Sequence, residues 1–221
     1  MSPKSFAFFD LDDTLVDTQA ALRSWATDFV LEHDLGDESV IAEVVARRTE
    51  ASSNWTEFTG RLREWYGITA DPRELYEKML VEYSAKFTPD PPVAEGLARL
   101  REDGWLLGIV TNGVARLQEA KIDRAGLREY VDVVVASGAV GYDKPDVRIF
   151  EAAASALGVT LSRAGWMVGD MYDKDILGGV AAGLRTIWLP HGRVLPERAP
   201  RPDHLAGSVT EAIGLVAASA E

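Results

Sequence analysis

The chain has no cysteine in 221 residues, which removes disulfides, thiolate metal sites and thiol nucleophiles together. Any reactive centre must be built from oxygen and nitrogen. Histidine is scarce too: His33, His191 and His204 show no metal-ligand spacing, and only His191 is expected in a loop near a sheet edge. No apolar run approaches the ~18 to 20 residues of a membrane span. The run from Met1 to Phe9 is too brief for a secretory core and is followed by no cleavage signature, so a soluble cytoplasmic protein is expected. Cations are in deficit, with 23 Lys plus Arg against 35 Asp plus Glu and a net charge of −12. That field repels polyanions, so neither nucleic acid nor an anionic membrane is an expected partner. The sequence also lacks a GxSxG elbow, a Walker A loop and a GxGxxG turn after a strand.

What is present is apolar material for a sizeable core: 47% of the residues are hydrophobic. The length suits one compact domain with an insertion, or two small ones. Short runs rich in Val, Ile, Phe and Trp recur as SFAFFD, GWLLGIVTN, YVDVVVAS, AGWMVGD and LRTIWLP. Continuous runs of this length read as strands covered on both faces. Helical patterns lie between them, over Val147 to Leu157 and Ile176 to Leu184. Strand alternating with helix predicts a Rossmann-like α/β fold with a parallel sheet between helices.

One stretch breaks the rhythm. Roughly ninety residues without a convincing strand separate the first run from the second, far more than one crossover needs. Leu22, Trp25, Phe29 and Val30, then Trp55, Phe58, Leu62, Trp65 and Tyr66, then Leu75, Met79, Leu80 and Tyr83 fall at helical spacing. Asp71-Pro72 with Glu74 marks a helix start, and Thr88-Pro89-Asp90-Pro91-Pro92 cannot continue a helix. The expected division is a core of residues 1–17 and 90–221 with an α-helical insertion over 18–89.

In an open parallel sheet, ligands collect outside the carboxyl ends of the strands. There the sequence delivers Asp10, Asp12 and Asp13, then Thr111 and Asn112, then Lys144, then Asp170 with Asp173 and Asp175 beyond. Asp10 and Asp12, two residues apart, start on the same side of an extended chain. Asp10, Asp12 and Asp170 on one edge would repel strongly in a cleft, which implies a bound cation. Oxygen-only ligands suit Mg²⁺, and Mg²⁺ with Lys144 leaves a near-neutral pocket able to take a phosphate. One aspartate is then placed to attack phosphorus while the other manages protons.

The sequence here resembles the haloacid dehalogenase superfamily of phosphohydrolases over essentially its whole length. FFDLDDTL resembles the first motif, IVTN the second, Lys144 before Pro145 the third, and GDMYDKD the fourth. The resemblance implies a nucleophilic, metal-binding Asp10 and a general acid/base Asp12 that binds metal through its carbonyl. It implies phosphate binding by Thr111, the Asn112 backbone and Lys144, metal binding by Asp170, and a supporting acid at Asp175. It also makes the insertion a cap that selects the substrate. The expected function is Mg²⁺-dependent hydrolysis of a small phosphorylated metabolite, nucleotidase- or phosphoglycolate phosphatase-like, through an aspartyl-phosphate.

Other readings compete. Asp12 or Asp13 alone reads as the N-cap of a helix beginning near Thr14. Carbon–halogen hydrolases of the superfamily typically lack the second acid of the first motif, which Asp12 supplies here. Phospho-accepting regulatory modules also place acids, a Thr and a Lys at strand ends, but they are about half this length and have no cap. A catalytically silent relative kept for protein binding would not need the full charged set.

Overall fold

The computed structural model describes residues 5–50, 55–195, 197 and 200–219, so Met1 to Lys4 of the N-terminal run lie outside the described residues. The chain divides into two compact units, one of Met1–Val16 with Pro89–Glu221 and one of Asp17–Thr88.

The first unit is built on β1 (Phe6–Phe9), β2 (Leu106–Thr111), β3 (Val133–Ala136), β4 (Gly165–Gly169), β5 (Arg185–Trp188) and β6 (His204–Leu205). All pair in parallel in the order β3-β2-β1-β4-β5-β6. The five apolar runs are the first five strands. The sixth escaped sequence reading because it is two residues long and both are exposed. Strand β1 is central and wholly buried, as an unalternating FAFF run requires of a strand covered on both faces.

The second unit contains, among the described residues, α1 (Thr18–Glu32), α2 (Glu38–Glu50), α3 (Trp55–Tyr66) and α4 (Pro72–Ser84). Helix α4 starts as its sequence predicts, with the Asp71 side chain accepting from the Arg73 and Glu74 N–H groups ahead of Pro72. Helix α2 had no clear apolar stripe to betray it, since only Ile41 and Val44 are buried. Trp25, buried against Phe29 and Phe58 with ring centroids at 5.2 and 6.3 Å, and Trp55, 4.9 Å from Tyr83, form this unit's aromatic core. Trp65 is half-buried under the Arg47 guanidinium, 4.2 Å from its ring centroid.

The remaining helices belong to the sheet unit: α5 (Pro91–Glu102), α6 (Ala115–Arg124), the short α7 (Ser137–Val140), α8 (Val147–Leu157), the short α9 (Leu177–Ala181) and α10 (Val209–Ala218). Helix α8 buries Ile149, Phe150, Ala153 and Ala154 against Phe6, Phe8, Val110 and Met167 of the sheet. Each large side chain so buried contributes roughly 1.5–3 kcal/mol.

Two helix boundaries differ from expectation. No helix begins near Thr14: the Leu11 carbonyl accepts from the Thr14, Leu15 and Val16 N–H groups, turning the chain first. The cap is Asp17, which accepts from Ala20 N at 2.8 Å, so neither Asp12 nor Asp13 serves as an N-cap. The helix expected over Ile176 to Leu184 is confined to α9, because a wide π-helical turn, Tyr172–Ile176, precedes it. That turn accommodates the Asp175 side chain, which folds back so that its Oδ2 accepts from Met171 N at 2.9 Å. No helix among the described residues is long and apolar enough to cross a membrane.

Candidate active site

Strand order reverses at β1, so the carboxyl ends of β1 and β4 flank the crevice where open α/β sheets bind ligands. Asp10 follows β1 and continues its pairing for one residue, its N–H donating to Val168 O at 2.9 Å. Asp170 follows β4. Across the sheet, Lys144 reaches in after α7 and donates to Asp10 Oδ1 at 2.5 Å and to Asp175 Oδ1 at 2.6 Å. Asp10, Asp170 and Asp175 are all buried, and each offers a carboxylate oxygen within 4.8 Å of the others. Burial pushes the Asp10 carboxyl well above the usual range, against the opposing pull of Lys144. Burial opposes the charge on Lys144, but Asp10 and Asp175 outweigh it and hold the ammonium above the ordinary lysine range. Burial also raises Asp170, with the Arg193 guanidinium acting the other way.

Asp12 is not a member of this carboxylate cluster. Its half-buried side chain turns to α6, where Lys121 Nζ lies 2.7 Å from Oδ1 and Gln118 Nε2 donates to Oδ2 at 2.9 Å. The three converging acids are therefore Asp10, Asp170 and Asp175, and the expected trio containing the Asp12 carboxylate is corrected accordingly. The chain leaves the sheet after Asp10 and turns at Asp13, which has φ 56°, so strand alternation no longer aims Asp12. Any part for Asp12 at a cation falls to its backbone carbonyl.

Gln118 Nε2 also donates to Thr111 Oγ1 at 2.6 Å. An amide nitrogen only donates, so the Thr111 hydroxyl accepts here, and its own hydrogen goes to Asn112 O at a long 3.4 Å. The Asn112 carboxamide clamps the backbone of Lys144, donating to its O at 3.0 Å and accepting from its N at 2.7 Å. Ser137 Oγ accepts from Gly113 N at 2.9 Å. His191 Nε2 donates to the Asp13 carbonyl at 2.7 Å. His33 lies with its ring 4.8 Å from Phe29, and His204 is exposed beside Trp166 at 5.6 Å. Asp173 is exposed, 3.7 Å from Lys174 Nζ.

The residues fit a hard divalent cation. Three carboxylates face two cations, Lys144 and Arg193, which leaves one negative charge uncompensated in a buried place. Asp170 Oδ1 is buried and makes no hydrogen bond among the described residues, a state that costs about 1–3 kcal/mol unless a ligand engages it. Carboxylate and carbonyl oxygens without sulfur or imidazole suit Mg²⁺.

Gly169 is required by close approach. A Cβ there would lie 2.3 Å from Asp175 Cγ, and Asp175 cannot retreat without leaving Lys144. Gly169→Ala is expected to lower stability by roughly 1–3 kcal/mol from overpacking alone, read as a lower urea midpoint. An unchanged midpoint would show that Asp175 is not held in place.

Sequence reasoning missed Gln118, Lys121 and Arg193. The first two carried a usable signal: they share a buried face with Leu117 and Ile122, and a Lys on an apolar stripe is rarely buried without a partner. Arg193 sits in a loop and carried none.

The family model of haloacid dehalogenase-like hydrolases matches residues 6–183. The pyrimidine 5'-nucleotidase YjjG of Escherichia coli (strain K12) is 33% identical over 86% of this chain and 88% of its own. A glyceraldehyde 3-phosphate phosphatase of Methanopyrus kandleri is 34% identical over 88% of this chain and 87% of its own. Among solved structures, the HAD-hydrolase YfnB of Bacillus subtilis, bound to magnesium, superimposes with TM-score 0.78 at 22% identity, over 97% of this chain and 99% of that one. With four motifs converging on one sheet edge and a family match over most of its length, the chain belongs to the haloacid dehalogenase-like hydrolases.

Proposed function

We propose that the chain is a Mg²⁺-dependent phosphomonoesterase that passes the phosphoryl group of a small metabolite to Asp10 and then to water. The observation that carries this reading is the buried Lys144 ammonium, 2.5 Å from Asp10 Oδ1 and 2.6 Å from Asp175, beside an acid cluster with unbalanced negative charge. Asp10, Asp170 and the Asp12 carbonyl would hold the metal, which when bound neutralises phosphoryl oxygens as charge moves onto them. That the nucleotidase and the glyceraldehyde 3-phosphate phosphatase are named for small phosphate esters supports the substrate class.

In the first step an Asp10 oxygen bonds to phosphorus in line as the bond to the ester oxygen breaks, and Asp12 gives that oxygen a proton. In the second, Asp12 takes a proton from water as the water oxygen bonds to phosphorus and the Asp10–phosphorus bond breaks. Lys144 neutralises the anion throughout, and Asn112 fixes the backbone from which it reaches. The Thr111 hydroxyl, which accepts from Gln118 and donates to Asn112 O across a long 3.4 Å, turns its hydrogen from that carbonyl to a phosphoryl oxygen. Lys121 and Gln118 orient Asp12 by donating to its two oxygens, so the proton it gives in the first step, regained from water in the second, sits on an oxygen turned away from these donors.

Asp12→Asn is therefore expected to slow alkyl phosphate hydrolysis by about 10²- to 10⁴-fold. A nitrophenyl ester, whose leaving group needs no proton, should suffer far less in its first step. The comparison is made by single-turnover kinetics on both esters, and an equal loss would remove Asp12 as the acid. The helical unit serves as the cap. Replacing half-buried Trp65 with Ala is expected to reorder a panel of phosphorylated metabolites more than it changes the rate on a generic ester.

A further inference from the structure

The two carboxylate oxygens of Asp170 have different surroundings. Arg193 Nη2 donates to Oδ2 at 2.8 Å and to the Asp170 backbone carbonyl at 2.8 Å. That carbonyl also accepts from Trp188 Nε1 at 2.7 Å, so the residue is held at both backbone and side chain. Oδ1, in contrast, is buried and makes no hydrogen bond among the described residues. The guanidinium is itself oriented: its Nε donates to Pro190 O at 3.0 Å, and Nη1 lies 3.4 Å from Met171 Sδ.

We infer that Arg193 is a positioning residue that sets ion selectivity, because by engaging Oδ2 it restricts Asp170 to one-oxygen coordination through Oδ1. The inference rests on the reading of this cluster as a divalent-cation site. Magnesium demands a near-ideal octahedron, which one oxygen from each carboxylate suits. Calcium takes six to eight oxygens and readily uses both oxygens of a carboxylate. Releasing Oδ2 therefore opens to calcium a mode of binding that magnesium has little use for. Loss of the guanidinium charge is a separate effect and acts on both ions alike, since each carries the same charge at the same place. The ratio of the two affinities thus isolates the geometric effect from the electrostatic one.

Arg193 is exposed and lies on a loop, so its replacement leaves the core intact. The test is calorimetric titration of metal-stripped protein with MgCl₂ and, separately, CaCl₂, for the parent and for Arg193→Met, with no substrate present. In the variant the ratio of calcium to magnesium dissociation constants is expected to fall about 10-fold or more, the scale on which partners of metal ligands act. A ratio that is unchanged or raised, including a parallel gain in both affinities, overturns the role of Arg193 while leaving the metal site standing. If the parent binds neither ion, the metal reading falls and the inference with it.

Discussion

Asp10→Asn is expected to abolish turnover, by a factor on the order of 10⁴ or more, while leaving the protein folded and no less stable than its parent in chelator. An amide oxygen is a poor nucleophile, and the loss of an attacking group is among the largest single-residue effects in catalysis. Stability behaves differently because burial already pushes the Asp10 carboxyl upward, which means the folded state holds the charge at a cost. Lys144 keeps a partner in Asp175 when Asp10 is neutral. The informative measurement pairs phosphate release with urea unfolding, and adds a beryllofluoride trap that should load the parent at Asp10 and leave the variant empty. A variant that turned over at near the parental rate would exclude covalent catalysis at this residue.

The second large effect is expected at Lys144. Lys144→Met leaves Asp10 and Asp175 buried without their shared ammonium, and breaking a buried pair by removing one partner costs about 3–5 kcal/mol. The loss should depend on pH in a definite sense. With Lys144 gone, every remaining influence on Asp10, from burial, Asp175 and Asp12, raises its pKa. The folded state then binds protons more tightly than the unfolded chain, whose aspartates titrate near 3.9. Stability from such a group is fully present below the unfolded value and is lost as pH rises through the folded one. In chelator the deficit relative to the parent should therefore be smaller at pH 5 than at pH 8, by urea midpoint. A deficit equal at both values would mean that the carboxylates are not the groups Lys144 compensates.

The parallel sheet was legible because its buried strands are unalternating apolar runs, and the residues delivered by their carboxyl ends followed directly. Asp10, Thr111, Lys144 and Asp170 could be gathered to one edge on that basis. The surroundings of Asp12 could not, because Gln118 and Lys121 act across 106 and 109 positions of chain from α6, and no strand end announces a helix face. Asp175 was placed near the site but not in its centre, since a π-helical turn leaves no periodic trace in so short a segment. Arg193 shows the limit most clearly. Its importance lies wholly in which oxygen of Asp170 it bonds, and that is a property of three-dimensional packing.

The central position of β1 has a consequence during synthesis on the ribosome. Its residues Phe6 to Phe9 pair with Leu106 to Ile109 on one side and with Gly165 to Val168 on the other. At about 5–20 residues per second, the first partner strand is completed some 5–20 seconds after β1 itself, and the second later still. The helical unit, made entirely of intervening chain, can fold in that interval through its own local contacts. Asp10 must wait longer for Lys144, 134 positions away. The nascent chain therefore carries an unpaired aromatic strand until Leu106 to Ile109 emerge and an unpaired nucleophile until Lys144 follows, and the first of these periods is when chaperone capture of Phe6 to Phe9 would matter most.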